Sequence, residues 1–180
     1  MEDLSLHILD IAENSVKAQA KLITIAIEES KDKDLLTVNI VDDGQGMDEE
    51  TKSKALDPFF STKKERRIGL GLSLLKEAAL TANGRFSLES EPNRGTEVTA
   101  TFQASHIDTK PLGDIPQTLI TLIVGNPSVD LRYRHKTDES EYVLDTKEIK
   151  SQLNGIPINS PEVLHIIKKD IREGLAKLRR

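Results

Sequence analysis

The sequence has no cysteine and no tryptophan, and only two tyrosines and four phenylalanines among its 180 residues. Without a thiol, this chain forms no disulfide, no thiolate nucleophile, no zinc finger and no iron–sulfur cluster. With aromatics at 3%, a stacking platform for single-stranded nucleic acid is not expected. Long apolar runs are missing too: none approaches the roughly 20 residues that a membrane-spanning helix needs. The acidic start, Met1-Glu2-Asp3, lacks the basic segment and apolar stretch of a signal peptide. The expectation is a cytoplasmic chain without membrane partners. A net charge of -5 gives no broad footprint for nucleic acid, although Lys63, Lys64, Arg66 and Arg67 form a local basic cluster. What remains is a soluble globular composition, 37% hydrophobic and 31% charged, with no internal repeat. Its length suits one core, or a core with a small appendage, and not two full-sized domains.

Apolar periodicity organises the chain. Leu4, Ile8, Ile11, Ala12 and Ser15 recur at helical spacing, with Leu9 and Val16 widening the stripe. Residues 22–28 and 35–42 are rich in β-branched and aliphatic residues around a charged turn, which predicts an antiparallel hairpin. Asp48 is placed to cap a short helix that stops before Pro58, and residues 59–68 are expected as a loop. A buried helix follows from Gly69 to a left-handed stop at Asn83-Gly84, and then strands at 85–89 and 97–103. Periodicity lapses around 106–113, which sets a boundary between residues 1–105 and an appendage, 106–180. In the appendage a helix capped by Asp114 is expected, with a strand as the alternative for the same residues. A hairpin through Tyr133 and Tyr142 and a helix from about Asp145 to Leu153 follow. The last helix begins at the cap pair Ser160-Pro161 and carries Leu164, Ile167, Ile171, Leu175 and Leu178. The fold class is therefore α+β, a two-layer sandwich whose mixed, mostly antiparallel sheet is covered on one face by helices, plus the small C-terminal α+β appendage.

Four motifs carry the chemistry. On the first helix His7, Asp10, Asn14 and Lys17 share one side, which suits either a ligand or solvent. Asparagine is a mediocre residue for a helix interior, and its amide oxygen is a hard ligand suited to Mg²⁺; Lys17 can meet a phosphate, and Asp10 can orient a water. The run Asn39-Ile40-Val41-Asp42 drives a carboxylate out of a sheet where Gly44 and Gly46 allow close backbone approach. Asp42 can accept from the exocyclic amine of adenine and so distinguish it from guanine, while Asp43 is the candidate for merely capping the turn. The third motif is Asp57-Pro58-Phe59-Phe60-Ser61-Thr62-Lys63 with the basic cluster behind it, read either as a phosphate-clamping lid or as a solvated charge run. Gly69 and Gly71 open a helix whose free amides and positive end suit phosphates, and Gly95-Thr96 begins a strand.

In order and spacing this set resembles the ATP-binding domain shared by gyrase, heat-shock chaperones, histidine kinases and mismatch-repair ATPases, often called GHKL, over residues 4–104. The resemblance implies that Asn14 holds Mg²⁺ and that Asp42 reads adenine. It places Lys17, Gly44, Gly46, Met47, Thr62, Lys63, Arg67, Gly69, Leu70, Gly71, Leu72 and Thr96 at pocket or phosphate positions. The 57–63 motif, Gly69-Leu70-Gly71-Leu72-Ser73 and Asn93-Arg94-Gly95-Thr96 look most like the histidine-kinase branch. Two positions depart from the pattern. Asp10 stands where the hydrolytic branches have a glutamate, and Arg67-Ile68 stand where the kinase motif opens with glycine and threonine, so the lid is expected to be short and basic.

The chain begins at the first motif, so transfer to a histidine on dimerising helices of its own is not expected. The first reading is an ATP·Mg²⁺-binding regulator that transfers the γ-phosphate to a separate regulatory partner protein, as stand-alone serine kinases resembling anti-sigma factors do, with Asp10 as base or water-orienting group. The second is an ATP-driven switch with slow hydrolysis. The third is a non-catalytic module that uses the 164–178 stripe to dock or to form a homodimer.

Overall fold

The computed structural model of the chain describes residues 2–57 and 70–178. Helix α1 (Leu4–Lys17) starts where Asp3 accepts a hydrogen bond from the Leu6 amide, the usual function of a capping carboxylate. The hairpin β1 (Leu22–Ser30) and β2 (Leu35–Asp42) follows, then α2 (Glu49–Ala55), whose cap Asp48 accepts from the Thr51 amide. Helix α3 (Leu70–Thr81) leads into β3 (Phe86–Glu91) and β4 (Gly95–Gln103). The rest comprises α4 (Ile115–Gly125), β5 (Asp130–Lys136), β6 (Glu141–Asp145), α5 (Thr146–Gln152) and α6 (Pro161–Leu178). Residues 115–125 are helical, which decides between the helix and strand alternatives.

Among the described residues the six strands form one sheet, in the order β3-β4-β2-β1-β5-β6, in which the β1–β5 pair alone is parallel. The C-terminal segment thus continues the sheet of the N-terminal one: Ile25 of β1 lies beside Tyr133 of β5. The fold is α+β with an open mixed sheet. Period-two alternation turns Ile23, Ile25 and Ile27, Leu36, Val38 and Ile40, and Val98, Ala100 and Phe102 to a buried face. Thr24, Thr37, Asn39, Thr99 and Thr101 occupy the half-exposed opposite face. The buried face meets Leu4, Ile8 and Ile11 of α1 and Leu72 and Leu75 of α3 in one continuous core.

Tertiary contacts revise three local expectations. Asn83 alone takes the left-handed conformation after α3, with φ at 53°. Gly84 is needed for space, since a Cβ there would stand 1.6 Å from the carbonyl oxygen of Thr101. Ser160 does not cap α6 through its side chain; its Oγ is buried without a hydrogen-bond partner among the described residues, and the helix start rests on the fixed φ of Pro161. The 164–178 stripe is spent internally: Ile167 and Ile171 are buried, Leu164 and Leu175 pack on the core, and α6 lies against α4 and β6. Gly174 lets that helix approach the Tyr142 ring, to which a Cβ would come within 2.1 Å.

On β5 and β1, His135 joins Glu29 through Nε2 at 2.6 Å and the Tyr133 hydroxyl through Nδ1 at 2.9 Å. Burial, with Glu29 adding to it, raises the Tyr133 phenol well above its ordinary range, so it stays protonated. Among the described residues no helix is long and apolar enough to cross a membrane.

Because backbone cannot yield as a side-chain tip does, Gly84→Ala should cost about 3 kcal/mol of folding stability, measurable as a lower midpoint in chemical denaturation. A wild-type midpoint would show that the turn after α3 shifts freely.

Candidate functional site

Alternation along β2 decides where its last residue goes. Leu36, Val38 and Ile40 face the core, so Asp42, two residues on, is carried under α1 and is only 8% exposed. A carboxylate there requires donors. The Ser15 hydroxyl supplies one to Oδ2 at 2.6 Å, and the Gly44 amide supplies another to Oδ1 at 2.9 Å. Ser15 also lies 3.3 Å from the Ile11 carbonyl, but it has a single proton and the shorter contact holds it. Asp43 turns the other way and accepts the amides of Lys21 and Leu22, which ties off the start of β1.

The loop after Asp42 is wedged between two backbones. A Cβ on Gly44 would lie 2.8 Å from the Ala18 carbonyl oxygen, and one on Gly46, where φ is 67°, 1.9 Å from that of Glu91. Gly95, with φ at 87°, lets the β3–β4 turn close onto the Asp42 carbonyl. The Gln45 amide donates to Ala18 at 2.8 Å and the Asn93 amide to Gln45 at 2.6 Å. These contacts shape a cavity of about 240 Å³ floored by Ile11, Ala55, Leu72 and Val98. Its polar lining is Asn14, Ser15, Lys17, Asp42, Gln45, Thr51 and Thr96, with Gly46 and Met47 in the wall. Asp42 and Thr96 are cross-strand register partners on β2 and β4.

Asn14 is the telling side chain. Both Oδ1 and Nδ2 are buried and neither has a hydrogen-bond partner among the described residues, while the residue lines the cavity. Orphaned polar atoms of this kind are rare and costly unless something else satisfies them. Asp10, one turn earlier, lies against Gly71 at the start of α3, where a Cβ would stand 1.7 Å from its Oδ2. Burial raises the Asp10 carboxyl above the ordinary range; Lys17 opposes the shift and Glu13 adds to it.

Of the residues singled out from sequence, Asn14, Lys17, Asp42, Gly46, Met47, Leu72 and Thr96 therefore meet at one cavity. Gly44 supports it from behind, and Asp10 and Gly71 touch each other outside its lining. Leu70 is 53% exposed at the helix start and does not line it. Phe59, Phe60, Thr62, Lys63, Lys64, Arg66, Arg67 and Gly69 lie outside the described residues. Sequence reasoning missed Gln45, Thr51 and Ser90, and took Ser15 for a member of the apolar stripe. The available signal was a hydroxyl inside a hydrophobic row that faces the last inward position of a strand.

His7 does not share the polar side. It is 1% exposed, and neither ring nitrogen has a hydrogen-bond partner among the described residues. Burial first, with the charges of Lys110 and the N-terminus, lowers its pKa from 6.5 to about 4, against an opposing pull from Asp3.

Residues 2–106 match the family described as histidine kinase-, DNA gyrase B- and HSP90-like ATPases, and the chain belongs to that family. Over 100 residues it is 36% identical to Sporulation kinase D of Bacillus subtilis, which covers 54% of this chain and 19% of that protein. Heme sensor protein HssS of Staphylococcus saprophyticus is 32% identical over 91 residues, covering 50% of this chain and 20% of the relative. The chain thus spans about a fifth of the length of these curated relatives. A solved structure, the N-terminal domain of a DNA repair protein, matches 81% of this chain and 53% of its own with a TM-score of 0.55 at 16% identity, a likeness of fold. Family membership and the kinase relatives support an ATP-binding, kinase-like domain.

The residues present fit that ligand. The orphaned Asn14 amide offers a hard oxygen, the glycine loop packs too closely on backbone for any side chain and so shapes the cavity wall, and Lys17 brings positive charge to the lining. Among the described residues no group of three or more His, Asp or Glu could hold a metal by itself. A Mg²⁺ ion would accordingly take Asn14 together with phosphate oxygens and water.

Since the folded His7 favours the neutral ring, its contribution is intact above pH 6.5 and is lost as pH falls from 6.5 towards about 4. The difference in denaturation midpoint between wild type and His7→Leu should shift against the wild type across that window. A constant difference would mean that His7 titrates normally in the fold.

Proposed function

We propose that this cavity binds ATP with Mg²⁺ and that the chain passes the γ-phosphate to a separate partner protein in a regulatory system. The observation that carries the reading is Asn14, whose buried, partnerless amide lines the cavity opposite the strand that presents Asp42. Bound ATP·Mg²⁺ supplies the phosphoryl group and the concentrated negative charge that the site must balance. Asp42 and Thr96 would receive the base, Asn14 would hold the metal, and Lys17 would neutralise phosphate charge. Ile11, Leu72 and Val98 keep water from the apolar faces of the ligand. Asp10, whose carboxyl is raised by burial, takes up a proton from an acceptor hydroxyl or imidazole that the partner provides. The family resemblance assigns the remaining phosphate contacts to Thr62, Lys63, Arg67 and Gly69. Residues 1–105 are proposed as the nucleotide-binding part, acting in the cytoplasm.

A second reading, a nucleotide-driven switch with slow hydrolysis, is favoured by one feature. β5 pairs directly with β1, and α4 packs on α1, so a change at the cavity helix would have a direct contact route to residues 106–180. Slow phosphate release with no labelled partner would select it over transfer.

In calorimetry, Asn14→Ala should weaken Mg²⁺-dependent ATP binding at least tenfold, about 1.4 kcal/mol or more, while leaving the melting temperature near that of wild type. Equal affinity with and without Mg²⁺ in the wild type would sink the metal assignment. With radiolabelled ATP, the wild type should label a protein from the native extract and Asp10→Asn should lose most of that label; a wild type that labels nothing counts against transfer.

A further inference from the structure

Ser90 on β3 stands behind the base end of the cavity, 8% exposed and outside the lining. Its hydroxyl has three partners: the Met47 amide at 2.8 Å, the Gly95 carbonyl at 2.8 Å and the Thr96 hydroxyl at 2.9 Å. A hydroxyl carries one proton and two lone pairs. The Met47 amide can only donate and the Gly95 carbonyl can only accept, so these two occupy one lone pair and the sole proton of Ser90. Thr96 is the partner able to play either part, and it must therefore donate to the second lone pair. Its proton then points away from the cavity, and its oxygen has only lone pairs left to offer there.

Thr96 is the register partner of Asp42, and both line the cavity. We propose that Ser90 is a specificity-determining residue of the site. By holding the Thr96 proton it keeps two neighbouring side-chain groups, the Thr96 hydroxyl and the Asp42 carboxylate, as acceptors at the base end. That end then favours a purine whose edge presents a 6-amino donor. A 6-carbonyl in the same place meets lone pairs and gains no hydrogen bond, which discriminates by leaving buried polar groups unpaired. Without Ser90 the Thr96 hydroxyl is free to rotate and donate to such a carbonyl. The inference rests on the nucleotide reading above and deepens it.

The test is a double-mutant cycle. Binding of ATP and of ITP, which carries the 6-carbonyl, is measured by calorimetry for wild type, Ser90→Ala, Thr96→Val and the double variant, with folding checked by circular dichroism. Wild type should prefer ATP, and Ser90→Ala should narrow the ATP-over-ITP ratio about tenfold, the effect of roughly one hydrogen bond. In the Thr96→Val background, Ser90→Ala should leave the ratio unchanged. Should Ser90→Ala fold poorly, Ser90→Cys, whose thiol is a weak donor and acceptor, carries the same expectation with a smaller change. A ratio that stays fixed while both affinities drop together makes Ser90 a brace for the turn and overturns the inference. So does a narrowing that persists without the Thr96 hydroxyl. Wild type that binds ATP with the ratio intact in Ser90→Ala removes this inference alone, whereas wild type that binds neither nucleotide removes the reading of the cavity as well.

Discussion

A carboxylate taken out of water is expensive unless donors meet it, and Asp42 is held at the inner end of β2 by two: the Ser15 hydroxyl and the Gly44 amide. These bonds join three elements, alongside the bond from the Gln45 amide to the Ala18 carbonyl. Ser15 belongs to α1, Asp42 ends β2, and Gly44 opens the loop that leads to α2. Once the carboxylate is seated, α1 must lie across the end of the sheet, and the 44–46 loop must run beneath the Ala18 carbonyl with no room for a Cβ at Gly44. The cavity is the space that these constraints leave between α1, α3 and the ends of β2 and β4.

The rest of the fold brackets that space. On one flank Gly95 and Gly46 bring the β3–β4 turn onto the loop, and the Ser90 hydroxyl bonds across both. On the other flank the C-terminal half adds β5 to β1 and lays α4 against α1, with the Thr118 hydroxyl donating to the Ser5 carbonyl at 3.4 Å. Helix α1 is thus buttressed by its neighbours α3 and α4, and it presents to the cavity the Asn14 amide, which has no partner among the described residues. A preorganised acceptor of this kind suits a ligand whose charge must be met without rearrangement.

Much of the architecture was legible because it follows local rules. The β1–β2 hairpin, the caps Asp48 and Asp114 and the buried rows of α1 and α3 follow from periodicity and capping chemistry that act over a few residues. Other features depend on partners distant in sequence. Nothing local distinguishes His7 from Asp10 or Asn14 on one helix side; only the packing around α1 buries the imidazole and leaves the amide at a cavity. Ser15 read as part of an apolar stripe because a serine is small enough to sit in one. Its role requires Asp42, 27 positions away. Ser160 resembled a cap by composition, yet its hydroxyl is buried without a partner among the described residues.

By itself the sequence determined the class of fold and the order of the chemical motifs, since alternation, helical spacing and glycine placement are written into neighbouring residues. The tertiary structure alone decided that the C-terminal hairpin extends the same sheet through a parallel β1–β5 pair, because strand partnership depends on which edge is free once the hairpins have formed. It also decided what meets the carboxylate that alternation directs inward: Ser15 stands 27 positions away, and only the packing of α1 across the sheet brings its hydroxyl to Asp42.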